Sequence, residues 1–306
     1  MVIKNYPEFE PINLKMRPEL HSHLSLLKDG VSEFTFANLY LFRKTYGYRV
    51  SRLNKNSYII SGKKGSETFF MLPDGLPDRE ILADLFKTHN YIKNLAASHS
   101  DARRVLLEQW NYCVSEDRDN FDYLYLRKDL SQLAGKKYHK KRNLVNAFIN
   151  NYNYEEKLLT EDLKGDAFRI LDEWNKTRSG DFEAAKEALE KKDVLGLCGY
   201  VYYVDGIPSA YVLGESICDK KCFVVHFEKA LDTYKGLYQF INRAFASILP
   251  CQCKYINREQ DLGDPGLRQA KMTYRPCGFI KKYRVYEAAV WPCPEKFPDC
   301  HCYRAN

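Results

Sequence analysis

Apolar and polar residues alternate in a regular way along most of the 306-residue chain. Residues 122–127 (DYLYLR) alternate strictly, and this pattern predicts a β-strand. After Pro18, leucines recur every three or four positions up to Gly30, which predicts a helix that ends near this glycine. Asp205-Gly206 lies between two apolar runs and predicts a tight hairpin, because both residues tolerate positive φ. The chain is therefore predicted to contain both helices and strands.

The predicted elements occur in the same order in both halves of the chain. Each half has a strand, two helices, three strands, a helix, a strand, a helix and a final strand. The predicted strands lie at residues 9–14, 48–53, 57–61, 68–72, 91–96, 122–127, 154–159, 199–204, 209–214, 222–228, 254–257 and 279–287. The predicted helices lie at residues 18–29, 32–46, 78–89, 100–110, 162–177, 182–192, 236–249 and 266–274. Ser32 is the expected N-cap of the second helix, and Gly47 is expected to end it. This order is the one used by the acetyltransferase fold of the acyl-CoA N-acyltransferase (GNAT-like) type.

The predicted fold class is α/β (α+β), with two tandem GNAT-like domains. Each domain is expected to contain a mixed, mostly antiparallel sheet flanked by helices. The N-terminal domain is predicted to cover residues 1–150 and to end in a basic linking helix at residues 129–150. The C-terminal domain, residues 151–306, is predicted to carry the active site and to end in a Cys-rich tail at residues 291–306.

Composition narrows the class of protein. Hydrophobic residues make up 45% of the chain, with only 16 Gly and 12 Pro, which excludes a disordered or collagen-like chain. Lys and Arg outnumber Asp and Glu by 47 to 40, and this net charge of +7 suits an anionic partner. No apolar run approaches the roughly 18 residues of a membrane span, and the first residues contain no apolar signal segment. A cytoplasmic protein without a transmembrane segment is expected.

The ten cysteines are concentrated in the second half, where eight follow residue 215. Their spacings lack the paired C-x2-C pattern that is typical of zinc sites, so no metal site is predicted. In a reducing compartment they are expected to be free thiols. The tail from Cys293 to Cys302, with His301 between two cysteines, remains the alternative metal-binding segment.

A strand, a turn and a helix at residues 224–249 contain the first candidate site. His226 and Glu228 alternate with apolar residues, so both side chains are expected on one face of the strand. The turn that follows contains a glycine at a predicted helix N-terminus, where backbone N–H groups bind phosphates well. The predicted cofactor-binding residues are Tyr234, Lys235, Gly236 and Leu237. An ordinary tight turn is the alternative interpretation.

Residues 254–276 form the second candidate site. Polar side chains follow the end of a predicted strand, where open α/β sheets bind ligands. The predicted substrate-binding residues are Asn257, Glu259, Asp261, Arg268 and Lys271. A solvated loop in which Asp264 caps the next helix is the alternative, but it does not explain the polar run at residues 257–261.

The third candidate is the densest positive segment of the chain, KKYHKKR at residues 136–142. On a helix, several of these cations would share one face and could follow a phosphate backbone. The predicted nucleic-acid-binding residues are Lys136, Lys137, Lys140, Lys141 and Arg142. A solvated helix face is the alternative interpretation.

Four segments carry a resemblance to a known family: FTFANLYLF, YLYLRKDLSQLAGKKYHKKRNLVNAF, HFEKALDTYKGLYQFINRAFA and YINREQDLGDPGLRQAKMTYRP. They resemble the family named for the carboxy-terminal catalytic domain of phosphatidylglycerol lysyltransferase, over most of residues 30–290. The resemblance implies two acetyltransferase-type domains in tandem. Membrane-anchored members of the family transfer an amino acid from aminoacyl-tRNA to a lipid head group, and related cell-wall transferases transfer it to a peptidoglycan precursor. An aminoacyl-tRNA donor is therefore expected here, with tRNA as a partner and an anionic lipid surface as a further one.

The expected reaction is acyl transfer to an amine or hydroxyl without a covalent enzyme intermediate. Glu228 or His226 is the expected general base, because both lie near the end of a strand beside the polar loop. Tyr274 is the expected acid for the leaving group, by analogy with acetyltransferases. Two alternatives remain, namely a CoA-dependent N-acyltransferase that uses acyl-CoA and a non-catalytic binding module on the same fold.

Overall fold

Fourteen β-strands and twelve α-helices form within residues 3–178 and 180–288, the part of the chain that the computed structural model describes. The strands are β1 Glu10–Pro11, β2 Arg49–Asn54, β3 Ser57–Lys64, β4 Glu67–Met71, β5 Tyr91–Ala96, β6 Tyr112–Glu116, β7 Asp122–Leu126, β8 Tyr154–Leu158, β9 Cys198–Val204, β10 Ile207–Ile217, β11 Cys222–Ala230, β12 Tyr255–Asn257, β13 Gly278–Ile280 and β14 Lys282–Glu287. The helices are α1 Arg17–Leu24, α2 Phe36–Leu41, α3 Arg43–Tyr46, α4 Arg79–Phe86, α5 Ala97–Gln109, α6 Arg127–Gln132, α7 His139–Asn151, α8 Lys164–Asn175, α9 Phe182–Glu190, α10 Lys192–Leu195, α11 Leu237–Ile248 and α12 Pro265–Met272.

The chain divides into two units, and the described parts of the first are residues 3–122, 260–263 and 279–288. Its sheet has the strand order β1-β2-β3-β4-β5-β14-β6. Among the described strands of this sheet, β4 and β5 are the one parallel pair, at Phe69↔Tyr91 and Phe70↔Ile92. Apolar residues of α4 and α5, such as Leu82 and Leu107, are buried against one face of this sheet. These buried side chains and those of the sheet beneath them form the core of the first unit.

The second unit comprises Tyr123–Glu259 and Asp264–Gly278. Its sheet has the order β13-β7-β12-β11-β10-β9-β8, and β11 and β12 are a parallel pair. Helix α11 packs on α6 and α7, with the Phe148 and Phe240 rings stacked 4.6 Å apart between centroids. Both units therefore contain a mixed, mostly antiparallel sheet, as the sequence predicts.

Two strands lie in a different sheet from the one that the order of elements suggests. Strand β7, predicted as the last strand of the first half, belongs to the second sheet. The strand predicted at residues 279–287 is two strands, and the later one, β14, lies in the first sheet between β5 and β6. Strand β6 was not predicted at all. The predicted boundary at residue 150 thus falls inside the second unit, because alternation identifies a strand but not the sheet that it joins.

A buried ionic cluster fixes the start of β14 in the first unit. The Lys282 ammonium contacts the Glu33 carboxylate and lies 2.7 Å from Asp122 Oδ1. Lys282 and Asp122 are fully buried, and Ser32 Oγ also donates to Asp122, at 2.9 Å. Burial lowers the pKa of Lys282, but the charges of Asp122 and Glu33 outweigh it, so the pKa is raised and the ammonium is retained.

This cluster corrects one predicted helix cap. Ser32 was the expected N-cap of the helix before Gly47, but its side chain is occupied by Asp122. Thr35 caps α2 instead, and its Oγ1 accepts a hydrogen bond from the Asn38 N–H at 3.0 Å. Gly47 ends α3 with φ at 60°, as predicted.

The predicted basic helix at residues 129–150 is interrupted. Helix α6 ends at Gln132, Leu133 and Gly135 have positive φ, and α7 begins only at His139. The Arg142 guanidinium donates to the carbonyls of Leu133 and Gly135, at 2.5 and 3.1 Å. Arg142 therefore satisfies backbone groups at the break between the two helices.

Candidate functional site

The candidate site of the second unit lies where a parallel strand pair separates. Strand β12 pairs with β11 from Cys222↔Tyr255 to Val224↔Asn257 and then ends. Strand β11 continues to Ala230, so His226 and Glu228 lie beyond the end of the neighbouring strand. Ligands of α/β sheets bind at such openings, at the carboxyl ends of parallel strands.

Glu228 forms an ion pair that was not predicted. Arg258 Nη2 lies 2.5 Å from Glu228 Oε1, and both side chains are largely buried. Burial lowers the pKa of Arg258, but the charge and hydrogen bond of Glu228, together with Tyr125 and Tyr274, outweigh this effect, so the pKa is raised and the guanidinium is retained. Arg258 belongs to the polar run at residues 257–261, but its partner Glu228 lies on the neighbouring strand β11, 30 positions earlier in the sequence.

Tyr274 follows helix α12 and lies against the same guanidinium. Tyr274 is 6% exposed, and the centroid of its ring is 5.3 Å from Arg258 Cζ. Burial raises the pKa of Tyr274, against the opposing charge of Arg258, so the phenol keeps its proton at neutral pH. The structure thus brings together Glu228 and Tyr274, which are 46 positions apart in the sequence.

His226 lies between two carboxylates. Its Nδ1 is 2.7 Å from Glu259 Oε1, and its Nε2 is 3.1 Å from Glu215 Oε1. Glu259 has a left-handed backbone, with φ at 53°, and its N–H donates to Asn257 Oδ1 at 2.8 Å. Glu215, on β10, was missed in the sequence, although a charged residue within an apolar strand was a signal for it.

This arrangement determines the charge of the imidazole. Ionised carboxylates only accept hydrogen bonds, so both ring nitrogens of His226 must donate. Burial lowers the pKa of His226, but the hydrogen bonds and charges of Glu215 and Glu259 raise it to about 10. As an imidazolium, His226 has no lone pair with which to accept a proton. Of the two residues predicted as general base, Glu228 is therefore the better candidate.

The predicted substrate-binding residues do not all lie at this opening. Asn257 and Glu259 do, and Lys271 Nζ donates to the Arg258 carbonyl at 2.7 Å. Arg268 lies on α12 and is half-buried. Asp261 belongs to the first unit, where its carboxylate is 3.2 Å from Arg118 Nη1. The loop after β12 thus contributes its first residues to one unit and its next four to the other.

The predicted phosphate-binding turn has a packing role. Gly236 is the N-cap of α11 with φ at 93°, and a Cβ there would lie 2.5 Å from the Leu144 carbonyl oxygen. The glycine is required by this close approach to α7. Tyr234 contacts the ring of Tyr152, and Lys235 is exposed. Leu237 is buried and opens α11.

The predicted nucleic-acid-binding residues have different environments. Lys136 and Lys140 are exposed, and Lys137 Nζ is 2.9 Å from Asp129 Oδ2. Arg142 binds backbone carbonyls, as described above. Lys141 lies with its ammonium 4.1 Å from the centroid of the Tyr274 ring. The five residues therefore do not form one continuous basic stripe.

The seven cysteines in the described residues form no disulfide. Within the same part of the chain, no group of three or more His, Cys, Asp or Glu side chains is arranged to hold a metal ion. Cys293, Cys300, Cys302 and His301 lie outside the described residues. None of the described helices has the length and apolar character needed to cross a membrane.

Comparison with known proteins identifies the family. The family described as "Phosphatidylglycerol lysyltransferase, C-terminal" matches residues 24–286. The chain belongs to this family. The resemblance that the four sequence segments suggested is thereby confirmed, and membership supports a transferase.

Individual relatives agree in fold. A conserved protein of unknown function from Bacteroides thetaiotaomicron is 31% identical, with a TM-score of 0.82, over 91% of this chain and 99% of that one. The C-terminal domain of a proposed lysylphosphatidylglycerol synthetase from Agrobacterium fabrum is 14% identical, with a TM-score of 0.62, over 90% and 92% of the two chains. The two mixed seven-stranded sheets flanked by helices confirm the predicted fold class, two tandem GNAT-like domains.

An uncharacterized protein from Mycoplasmoides gallisepticum is 26% identical over 186 residues. The match covers 56% of this chain and 57% of that curated relative. The similarity therefore spans little more than half the length of either protein.

Proposed function

We propose that the protein transfers an aminoacyl group from aminoacyl-tRNA to an amine or hydroxyl acceptor. The observation that carries the proposal is the group of Glu228, Arg258 and Tyr274 at the β11/β12 opening. A carboxylate that can accept a proton and a phenol that can donate one lie against a single guanidinium. Membership of a family named for an aminoacyl transfer supports the choice of donor.

In the proposed reaction, Glu228 accepts the proton of the acceptor amine or hydroxyl as this group attacks the ester carbonyl. The bond between the carbonyl carbon and the ribose oxygen then breaks. Tyr274 protonates the departing ribose oxygen, and the proton held by Glu228 restores the phenol. Arg258, between the two groups, stabilises the negative charge that develops during transfer. The net result moves one proton from the acceptor to the tRNA hydroxyl.

The surroundings are consistent with this donor. The exposed Lys136 and Lys140 provide positive charge for the tRNA backbone. His226 positions Glu259, whose partly exposed carboxylate would bind the ammonium group of the aminoacyl moiety. A cytoplasmic location would give access to charged tRNA.

The test is a binding titration with a mixed aminoacyl-tRNA pool, compared with the same pool after deacylation and with CoA and acetyl-CoA as competitors. Preference for the charged pool would support the proposal, and sequencing of the retained tRNA would identify the amino acid. Binding of CoA alone would favour a CoA-dependent N-acyltransferase. Binding of neither would contradict both, and would favour a non-catalytic module.

Substitution tests the chemistry. Glu228→Gln is expected to lower the transfer rate at least ~100-fold, because general bases contribute about that much. Glu155→Gln, at an exposed carboxylate on β8 of the same unit, is the control and should leave the rate unchanged. Near-native turnover of the Glu228 variant would remove this residue from the role of base.

A further inference from the structure

Lys141 is a cation without a counter-ion at the candidate site. It is half-buried on α7, and its ammonium lies 4.1 Å from the centroid of the Tyr274 ring. Among the described residues it has no hydrogen-bond or ion-pair partner, whereas the nearby Lys137 is paired with Asp129. Its position thus differs from that of the exposed lysines around it.

The electrostatic environment of Lys141 is unfavourable for a cation. Burial, and then the charge of Arg258, lower the pKa of Lys141. The guanidinium of Arg258 is compensated by Glu228, but no described carboxylate compensates Lys141. The Tyr274 ring offsets only part of this cost, because a cation–π contact contributes about 0.5–2 kcal/mol. An anion bound beside Lys141 would therefore complete the site.

We propose that Lys141 binds the phosphate of the terminal nucleotide of the acyl donor. The proposal rests on the function proposed above and adds a residue to its donor site. Lys141 and Arg258 both lie against the Tyr274 ring, so the bound anion would be close to the reacting ester. In an aminoacyl ester of a nucleotide, the 5′ phosphate and the acyl group are carried by one nucleoside. In acyl-CoA the long pantetheine arm separates the thioester from the phosphates. Because Lys141 and Arg258 lie against the same Tyr274 ring, a phosphate on Lys141 would be close to the reacting group, and this favours the nucleotide ester.

The experiment uses two probes that differ by one phosphate. The first is adenosine 5′-monophosphate with a lysyl group in stable amide linkage at the 3′ position, and the second is the same compound without phosphate. Dissociation constants are measured by calorimetry for the wild type, Lys141→Met, Lys141→Arg and Lys186→Met. Lys186 is the control because it is an exposed lysine on α9 of the same unit and belongs to none of the proposed binding sites.

We expect the wild type and Lys186→Met to bind the phosphorylated probe about tenfold more tightly than the probe without phosphate, as a charge-assisted contact with phosphate would give. This preference should disappear in Lys141→Met and be largely retained in Lys141→Arg, which keeps the charge. Circular dichroism of each variant establishes that it is folded.

Two results would overturn the proposal. Equal binding of both probes by the wild type would do so without affecting the proposed function, since the aminoacyl nucleoside still binds. A phosphate preference that survives in Lys141→Met would exclude this residue. Failure of both probes to bind wild type would count against the proposed function itself.

Discussion

The charge of His226 can be tested directly by raising the pH. Two carboxylates, Glu215 and Glu259, bind its two ring nitrogens at 3.1 and 2.7 Å. We predict that the ring remains doubly protonated at pH 8, where an unperturbed histidine has lost its second proton. The expected pKa is about 10, because the two hydrogen bonds and charges outweigh the effect of burial.

The shift also predicts how stability depends on pH. The pKa of His226 is higher in the folded protein, about 10, than the ordinary value of 6.5. Its contribution to stability is therefore fully present below pH 6.5 and is lost as the pH rises through 10. Each pKa unit corresponds to ~1.4 kcal/mol, so the whole contribution approaches ~5 kcal/mol. Between pH 7 and 9, the free energy of unfolding of this part of the protein should fall by ~1.4 kcal/mol per pH unit.

The assay is ¹⁵N NMR of the imidazole side chains between pH 6 and 10.5. The His226 signals are assigned by their loss in His226→Gln. Two protonated nitrogens at pH 8 would confirm the imidazolium, and Glu259→Gln should lower the titration midpoint because it removes one negative charge. One protonated and one unprotonated nitrogen at pH 8 would refute the reasoning, and would return His226 to the candidates for general base.

Two further predictions concern stability. Gly236→Ala should lower the thermal midpoint more than Gly206→Ala, because both residues have positive φ but only the Cβ at 236 meets a backbone atom. Equal losses in thermal midpoint would show that the positive φ alone, and not the close approach to the Leu144 carbonyl, determines the effect. Lys282→Met should lower the free energy of unfolding, measured in urea, by about 3–5 kcal/mol, because two buried carboxylates lose their shared cation. Lys281→Met, at an exposed ion pair, is the control and should cost less than about 1 kcal/mol.

Local features of the chain could be predicted because short-range physics decides them. Asp205 and Gly206 have φ angles of 50° and 78°, as the predicted hairpin requires. Strand β5 begins at Tyr91 and ends at Ala96, the residues that the pattern indicated. In both places the residues that determine the conformation are adjacent in sequence, so no knowledge of distant segments was needed.

Features that depend on distant partners could not be predicted. Ser32 is a good N-cap by residue type, but Asp122, 90 positions away, takes its hydroxyl. Strand β14 has the same alternation in either sheet, and only the burial of Lys282 between Glu33 and Asp122 shows where it belongs. Glu215 and Arg258 were missed for the same reason, since their significance comes from His226 and Glu228 on the neighbouring strand.

The charges at the β11/β12 opening favour a ligand that carries both signs. Glu228 pairs with Arg258, whereas both Glu215 and Glu259 contact the His226 ring. Glu259 is the more exposed of these two carboxylates, so it is the one that the ammonium group of a ligand could reach. Lys141 supplies a positive charge that no described carboxylate neutralises. An amino acid esterified to a nucleotide has an ammonium group that could pair with Glu259 and a phosphate that could pair with Lys141. A simple acyl-CoA has no ammonium on its acyl group to pair with Glu259.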